Sequence, residues 1–225
     1  MSELEETILG TLEFTPKSLE EVGVYTAVIE PASDHSLGSL GFLVDDFDAV
    51  DVQIVQWPQE GHRPVLKGTG IGGGITEGDF EMHWDGELLK AHNHAVDGKY
   101  VIGWSCDPTR ASEDKQREQT DFLLTFEANY HPDGGQIFYP IDNKPFIALL
   151  AEAGDDINAE DFKAYYFDGR KGVYINAGTW HQPLFPVADS QVFLDKQGAV
   201  HACIVCNFVK EFGVYIKVPL SLNQK

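Results

Sequence analysis

Two histidines separated by one residue are the first candidates for chemistry in this chain. His92 and His94 flank Asn93. On a β-strand, residues i and i+2 point to the same face, so both imidazoles can reach one ligand. Such a pair suits a divalent metal ion or an acid/base pair. The alternative is a surface pair beside the turn at Asp97-Gly98, and the spacing leaves both interpretations open.

A second polar cluster surrounds a predicted hairpin. If a strand ends at His131, then Glu127 and Asn129 share its face, and Gln136 begins the return strand after a tight turn. His181 would approach from a third strand. Two neutral imidazoles and side-chain oxygens form a mixed donor set that Mn, Fe, Ni or Zn accept. The alternative is a group of core polar residues satisfied by backbone partners.

Other motifs predict structure rather than chemistry. Cys203 and Cys206 are three residues apart, which places them on opposite faces of a strand, and an odd total of three cysteines makes a poor disulfide framework. The glycine-rich run at 68–74 lacks the Gly-Lys-Ser/Thr ending of a phosphate loop and predicts a wide turn. A Gly-x-Ser-x-Gly nucleophile elbow is absent from the sequence.

Charge and hydropathy exclude several classes of partner. The 225 residues include 36 acidic and 16 basic side chains, for a formal net charge of −20. This balance disfavours nucleic-acid binding, because phosphate neutralisation needs a Lys/Arg surface. No stretch approaches the ~20 apolar residues of a membrane span, and residues 1–18 do not have the pattern of a signal or transit peptide. We expect a cytoplasmic protein with no membrane or nucleic-acid partner.

Composition favours an all-β fold with few short helices. The chain has 22 glycines, 11 prolines and many aromatic residues, which is typical of short strands joined by tight turns. A charged loop at 107–119 separates two clusters of strands. We predict an N-terminal segment at 1–20, a β region at 21–119 packed on a barrel, and a barrel core at 120–222, forming one compact unit. Short helical turns are predicted at 18–22 and 158–164. The predicted strands are 24–29, 52–56, 100–104, 122–126, 136–139, 146–150, 172–175, 191–194, 201–208 and 214–220.

Several segments resemble a known family. The segments 136–151, 172–185 and 192–196 are similar to the core of the ureidoglycolate lyase (formerly ureidoglycolate hydrolase) family of the cupin superfamily, and Gly-Thr-Trp-His-Gln-Pro-Leu at 178–184 is the most specific element. The segment 83–92 resembles a further family element. The resemblance implies a cupin-type β-barrel (jelly roll) with an additional N-terminal sheet or half-barrel. It also implies an elimination that releases urea, or a related amine, from a small hydroxy acid.

The resemblance also implies roles for individual residues. Asn129 and Gln182 stand at family positions that usually carry Glu and His, Lys196 stands where Arg is usual, and an arginine expected near Ser105 is missing. Because lysine does not replace a bidentate arginine, the substrate is expected to be related to ureidoglycolate rather than identical to it. The expected metal ligands are His131, Gln136, His181 and Glu127; the expected catalytic residues are His92, Lys90 and His94; and the expected substrate-binding residues are Lys196, Tyr174, Trp180, Gln182 and Arg63.

Two alternatives remain beside this reading. One is a metal-dependent cupin enzyme of another class, such as an isomerase or a lyase that cleaves a C–S or C–C bond, because fold does not fix the reaction. The other is a non-catalytic cupin that binds a small carboxylate. The resemblance implies a homodimer, and strand 214–220 could pair across its two-fold axis. The sequence does not identify the metal, the substrate or its stereochemistry.

Overall fold

The computed structural model describes residues 8–9, 14–70 and 72–222, and β-strands dominate them. The predicted segment 1–20 therefore lies largely outside the described residues. The strands are β1 (Ile8–Leu9), β2 (Gly23–Thr26), β3 (Val28–Pro31), β4 (Gly41–Val44), β5 (Ile75–Asp85), β6 (Leu88–Asn93), β7 (Gly98–Trp104), β8 (Phe122–Thr125), β9 (Glu127–Tyr130), β10 (Gln136–Pro140), β11 (Phe146–Ala151), β12 (Lys163–Phe167), β13 (Gly172–Ile175), β14 (Trp180–His181), β15 (Phe185–Pro186), β16 (Ser190–Gly198), β17 (Ile204–Asn207) and β18 (Val214–Pro219).

The described strands form two sheets. The larger has the order β2, β18, β8, β7, β6, β5, β16, β10, β13 and β4, with β1 beside β7. The smaller has the order β17, β9, β14, β11, β12 and β3, with β15 beside β11. Most neighbouring strands are antiparallel; β1 with β7, β2 with β18 and β3 with β12 are parallel. The prediction of an all-β fold is confirmed.

The two sheets pack face to face around a shared hydrophobic core. Phe146 of the smaller sheet meets Phe193 of the larger one, with ring centroids 5.1 Å apart. Strand β11 is buried along its whole length, which agrees with its continuous apolar sequence. Burial of side chains from both sheets, including the fully buried Phe146 and Phe193, drives this packing. The result is a β-sandwich.

Strand β5 shows how the sequence selects a face. Glu81 and His83 are exposed, whereas Phe80 and Met82, which alternate with them, are buried. This period of two is the pattern of a strand with one face on the core. Nine residue pairs join β5 to β16, which fixes the register of both strands.

The two α-helices in the described residues are short. They are α1 (Asp34–Leu37) and α2 (Phe208–Phe212). The Asn207 side chain accepts a hydrogen bond from the Lys210 N–H, and Gly213 ends α2 in the left-handed region at φ 68°. A turn at Ser18 and a 3₁₀ turn at Ala159–Asp161 lie within the predicted helical segments. None of the helices that the structure describes is long and apolar enough to cross a bilayer.

Four predictions about strands need correction. The N-terminal strands do not form an additional sheet, because β2 and β4 to β7 belong to the larger sheet together with strands from 120–222. The segment 201–208 is a strand only at β17, since Asn207 caps a helix. The segment 52–56 contributes a single bridge, between Ile54 and Gly134. Strand β18 is not an open edge, because β2 and β8 pair with its two sides.

Candidate functional site

A cavity of about 460 Å³ lies between the two sheets. The larger sheet contributes its inner face, and the smaller sheet contributes β9 and β14. The most polar lining side chains are three histidines, one carboxylate and five amides; these are His131, His181, His201, Glu127, Asn93, Asn129, Gln136, Gln182 and Gln197. No lysine or arginine is among the described residues that line this cavity. Its wall therefore carries no fixed cation among these residues.

The cavity brings His131 and His181 together, as the sequence predicts. Asn129 on β9 pairs with His181 on β14, and His131 directly follows β9. The two imidazole centroids are 5.2 Å apart, with the rings at 63°. The pairing of β9 with β14 thus brings the two histidines together across 49 intervening residues.

Backbone carbonyls fix the tautomer of both rings. His131 Nδ1 donates to the Ala202 carbonyl at 2.9 Å, and His181 Nδ1 donates to the Thr179 carbonyl at 2.8 Å. Since a carbonyl oxygen only accepts, Nδ1 carries the proton and Nε2 keeps its lone pair in each neutral ring. Orienting hydrogen bonds of this kind are typical of histidines that bind metal ions.

Burial keeps both imidazoles neutral. It lowers the pKa of His131 well below its usual value, and like-charge repulsion from His201 and His181 lowers it further, against the Ala202 hydrogen bond. Burial also lowers the pKa of His181 to about 4, although the Thr179 carbonyl raises it. Each Nε2 is therefore an uncharged base at neutral pH, which is the form that binds a metal or accepts a proton.

His201 is a third histidine of the cavity, and the sequence analysis did not predict it. Its ring stacks on His131 with centroids 4.3 Å apart and an angle of 12°. Its Nε2 accepts a hydrogen bond from the Gly198 N–H at 2.8 Å, and its Nδ1 lies 3.2 Å from Asp133 Oδ1. Both ring nitrogens are occupied, so His201 positions His131 instead of offering a free nitrogen. The one feature of the sequence that marks His201 is the turn that precedes it, at the end of β16.

A buried carboxylate stands behind the cavity wall. Asp195 is fully buried; its Oδ1 accepts from Gln136 Nε2 at 2.7 Å, and its Oδ2 accepts from Asn93 Nδ2 at 3.1 Å. Burial raises the pKa of Asp195 to about 7, while the two amide hydrogen bonds lower it. Gln136 Nε2 also donates to Gln197 Oε1 at 2.8 Å. This network holds the Gln136 amide so that its Oε1 is the atom left for a ligand.

The remaining amides and Glu127 complete the wall on the smaller sheet. Glu127 is buried at the start of β9. The Gln182 amide donates to the Glu127 backbone carbonyl and to Thr125 Oγ1. Asn129 is buried, and its Oδ1 makes no hydrogen bond within the described part of the chain. Because a buried amide oxygen without a partner is costly, Asn129 is suited to meet a bound ligand or ion.

The donor types around the cavity are those of a divalent metal site, although His131, His181 and Glu127 do not hold their ligand atoms within 4.8 Å of one another. His131 and His181 offer imidazole nitrogens, and Gln136, Asn129 and Glu127 offer oxygens around the same cavity. A mixed nitrogen and oxygen set of this kind is accepted by Mn, Fe, Ni or Zn. The Asn129 oxygen is the observation that supports the fit most directly, since an ion would supply the partner it lacks.

Lys90, His92 and His94 do not reach this cavity, contrary to the expectation that they serve it. On β6 the inward residue is Asn93, and its neighbours point the other way. Lys90 Nζ pairs with Asp85 at 2.7 Å and with Glu113 at 2.9 Å. His92 and His94 form a separate cluster with Glu81 on the outer face, where the three side chains offer potential metal ligands. The predicted convergence of the two histidines is present, but on the outside of the sheet.

Lys196 and Tyr174 are also turned away from the cavity. Lys196 is buried on the outer face of β16, where its Nζ lies 3.0 Å from the Val50 carbonyl and 3.1 Å from Glu77. Tyr174 stacks on Phe42, with centroids 4.7 Å apart. Strand alternation explains this, because Asp195 and Gln197 beside Lys196 take the inward positions.

Arg63 and Trp180 contact each other behind the smaller sheet. The Arg63 guanidinium lies 5.2 Å from the Trp180 ring centroid and pairs with Glu211 at 2.8 Å. Trp180 Nε1 donates to the Gly154 carbonyl at 2.7 Å. Arg63 is thus held by protein partners and does not replace the missing arginine in the cavity. Of the expected substrate-binding residues, Gln182 is the one that the structure places there.

Part of the chain is similar in sequence to known proteins. Residues 108–214, a little under half of the chain, match the family model described as ureidoglycolate lyase. A ureidoglycolate lyase of Azotobacter vinelandii is 36% identical over 75 residues, covering 32% of this chain and 45% of the relative. One from Pseudomonas fluorescens is 32% identical over 91 residues, covering 40% and 54%. The chain thus spans about half the length of the curated relatives it matches.

Proposed function

We propose that this chain, whose residues 108–214 match the ureidoglycolate lyase family model, is a lyase acting in the cavity between its sheets. The proposed reaction eliminates urea, or a related amine, from a small hydroxy acid and leaves glyoxylate or a similar oxo acid. A cupin-type fold is part of the same proposal, supported by the sandwich and by the family.

The pair of neutral histidines is the observation that carries this proposal. Both Nδ1 atoms are committed to backbone carbonyls, and both rings line one cavity. We assign His131, Gln136 and His181 as metal ligands, with Glu127 completing the set. A bound Mn, Fe, Ni or Zn ion would supply the positive charge that stabilises the oxygens of the substrate. This assignment is consistent with a wall that has no fixed cation among its described residues.

The protein groups then bind the substrate and move its protons. The carbinol hydroxyl loses a proton, the C–N bond breaks with its electrons going to nitrogen, and that nitrogen gains a proton as urea leaves. The lining amides of Asn93, Gln182 and Gln197 offer hydrogen-bonding groups to a ureido group. Because these three amides are buried, hydrogen bonds to them face less competition from bulk water.

The test combines a metal measurement with an assay for urea. Purified protein should contain a stoichiometric divalent metal and release urea from ureidoglycolate or a close analogue. His181→Gln should lose most of that metal and reduce turnover by at least a hundredfold. His83→Gln, which alters an exposed histidine on β5, is the matched control and should behave as the wild type does.

Three outcomes separate this proposal from the alternatives. Bound metal without urea release would reject the substrate and favour a metal-dependent cupin enzyme of another class. Tight binding of a small carboxylate with neither metal nor turnover would favour a non-catalytic binding protein. If Glu127→Gln keeps the metal and loses turnover, then Glu127 accepts the hydroxyl proton and is not a ligand.

A homodimer in the cytoplasm belongs to the same proposal. The resemblance to the family supports the dimer, and three free cysteines, Cys106, Cys203 and Cys206, agree with a reducing compartment. Light scattering coupled to size-exclusion chromatography should give twice the chain mass of 25.0 kDa. A monomer mass would contradict the dimer without affecting the proposed reaction.

A further inference from the structure

A second group of potential metal ligands lies on the outer face of the larger sheet. Glu81 on β5 and His92 on β6 are directly opposite each other in the antiparallel ladder. His94 follows β6, and its backbone N–H donates to the Asp79 carbonyl at 2.9 Å. The spacing of two residues keeps both imidazoles on the same side of the sheet. Three elements of local structure thus direct these side chains to one point.

The distances bring one ligand atom from each side chain close together. His94 Nε2 lies 3.4 Å from Glu81 Oε1, and the centroids of the His92 and His94 rings are 3.8 Å apart. One donor atom from each of the three residues lies within 4.8 Å of the others. Small side-chain rotations are enough to bring atoms at this spacing around a single ion with bonds of about 2.0 to 2.2 Å.

One ring nitrogen of His92 has no hydrogen-bond partner in the part of the chain that the structure describes and is suited to bind a metal ion. Its Nε2 is buried and makes no hydrogen bond within the described residues. The nearest carboxylate oxygen, Oδ1 of Asp97, is 3.5 Å away, which is too long for a good hydrogen bond. A metal ion would use this nitrogen, and Asp97 stands where it can contribute a fourth donor.

The surrounding charges attract a cation. Asp79 and Glu81 alternate along the exposed face of β5, and Asp97 lies in the turn after β6. Lys99 is opposite His92 on β7 and opposes this attraction. Three carboxylates against one ammonium leave the immediate surroundings negative, in a chain whose formal net charge is −20.

We propose that Glu81, His92 and His94 form a binding site for a borderline divalent cation of the zinc class, separate from the cavity. Two imidazoles and a carboxylate are a donor set that Zn²⁺ accepts. The site lies on the reverse side of the strand whose Asn93 lines the cavity. It does not depend on the proposed lyase activity, because none of its three ligands faces the cavity.

Isothermal titration of the chelator-treated full chain with Zn²⁺ tests this site. Wild-type protein should show a binding event that His92→Ala/His94→Ala loses, or binds at least tenfold more weakly. His83→Ala changes an exposed histidine on the same face of β5 outside the cluster, and its isotherm should match that of the wild type. Zinc bound at the cavity would appear equally in all three proteins.

A second variant tests whether the Glu81 carboxylate takes part in zinc binding together with the two histidines. Glu81→Gln keeps both imidazoles and removes the anionic oxygen, so Zn²⁺ should bind about tenfold more weakly than in the wild type. Circular dichroism and thermal melting without zinc should be unchanged in these variants, because the altered side chains lie on the outer face. Superimposable zinc isotherms for the wild type and His92→Ala/His94→Ala would overturn the proposal.

Discussion

His181 and Asp195 couple the stability of the fold to pH in opposite directions. The pKa of His181 is lowered to about 4 by burial, so the unfolded chain binds a proton below about pH 6.5 while the folded chain does not. This group therefore destabilises the fold as pH falls from 6.5 to 4. The pKa of Asp195 is raised to about 7, so its contribution to stability is present at acidic pH and is lost as pH rises through 7.

The contribution of His181 can be measured by denaturation at two pH values. We expect His181 to lower the free energy of unfolding by about 2 kcal/mol between pH 7 and pH 5, from its shift in pKa. His181→Gln removes the titrating ring, so its stability should fall less over this range than that of the wild type. Urea denaturation curves of the chelator-treated, metal-free proteins at both pH values give the comparison. Parallel loss of stability in both proteins would show that His181 is not held neutral.

At the scale of single residues, the sequence predicts some faces correctly and others wrongly by one position. Along β9 the prediction that Glu127, Asn129 and His131 share a face holds, because the turn after His131 fixes the phase. On β6 and β16, however, the inward residues are Asn93 and Asp195, not His92 and Lys196. The alternation of side chains along a strand defines its two faces. It does not identify the face that meets the core when both faces carry polar side chains.

The elements themselves are harder to predict where their outer faces are charged. Strand β5 was not predicted, because acidic residues, glycine and histidine interrupt its apolar positions. Its extent depends on pairing with β16, which is more than 100 residues away in the chain. The apolar strands β10, β11 and β13 were predicted nearly to the residue, since local composition alone identifies them. Long-range pairing overrides local propensity in β5.

The position of Lys196 on strand β16 predicts what its replacement will do. Its Nζ is held by the Val50 carbonyl, by Glu77 and by the Phe47 ring at 4.6 Å, all on the outer face. Lys196→Met should therefore destabilise the protein by about 1 to 3 kcal/mol through the loss of these charged contacts. KM for the substrate should stay within twofold of the wild-type value. Thermal melting and steady-state kinetics measure both, and a large rise in KM with unchanged stability would place Lys196 in substrate binding instead.

For the molecule as a whole, net charge predicts how an anionic substrate approaches. A formal charge of −20 repels a carboxylate over distances comparable to the Debye length, which shortens from about 30 Å at 0.01 M salt to about 10 Å at 0.1 M. On the proposed function, raising the salt concentration over this range should increase kcat/KM roughly twofold or more, with kcat unchanged. A decrease would indicate local positive charge that guides the substrate.

The cavity is lined by two stretches of the chain, one inside the region that matches the ureidoglycolate lyase family model and one before it. His131, Gln136 and His181 lie inside the matched region 108–214, whereas Asn93 and Tyr100 come from strands before it. A fragment limited to 108–214 would lack β5 to β7, leaving β16 with an unpaired edge along nine residues and one side of the cavity open to water. Such a fragment would tend to aggregate through that edge. His131 and His181, which lie inside the matched region, thus depend on strands outside it to complete the cavity wall, and substrate selectivity can change in that wall while the histidine pair stays the same.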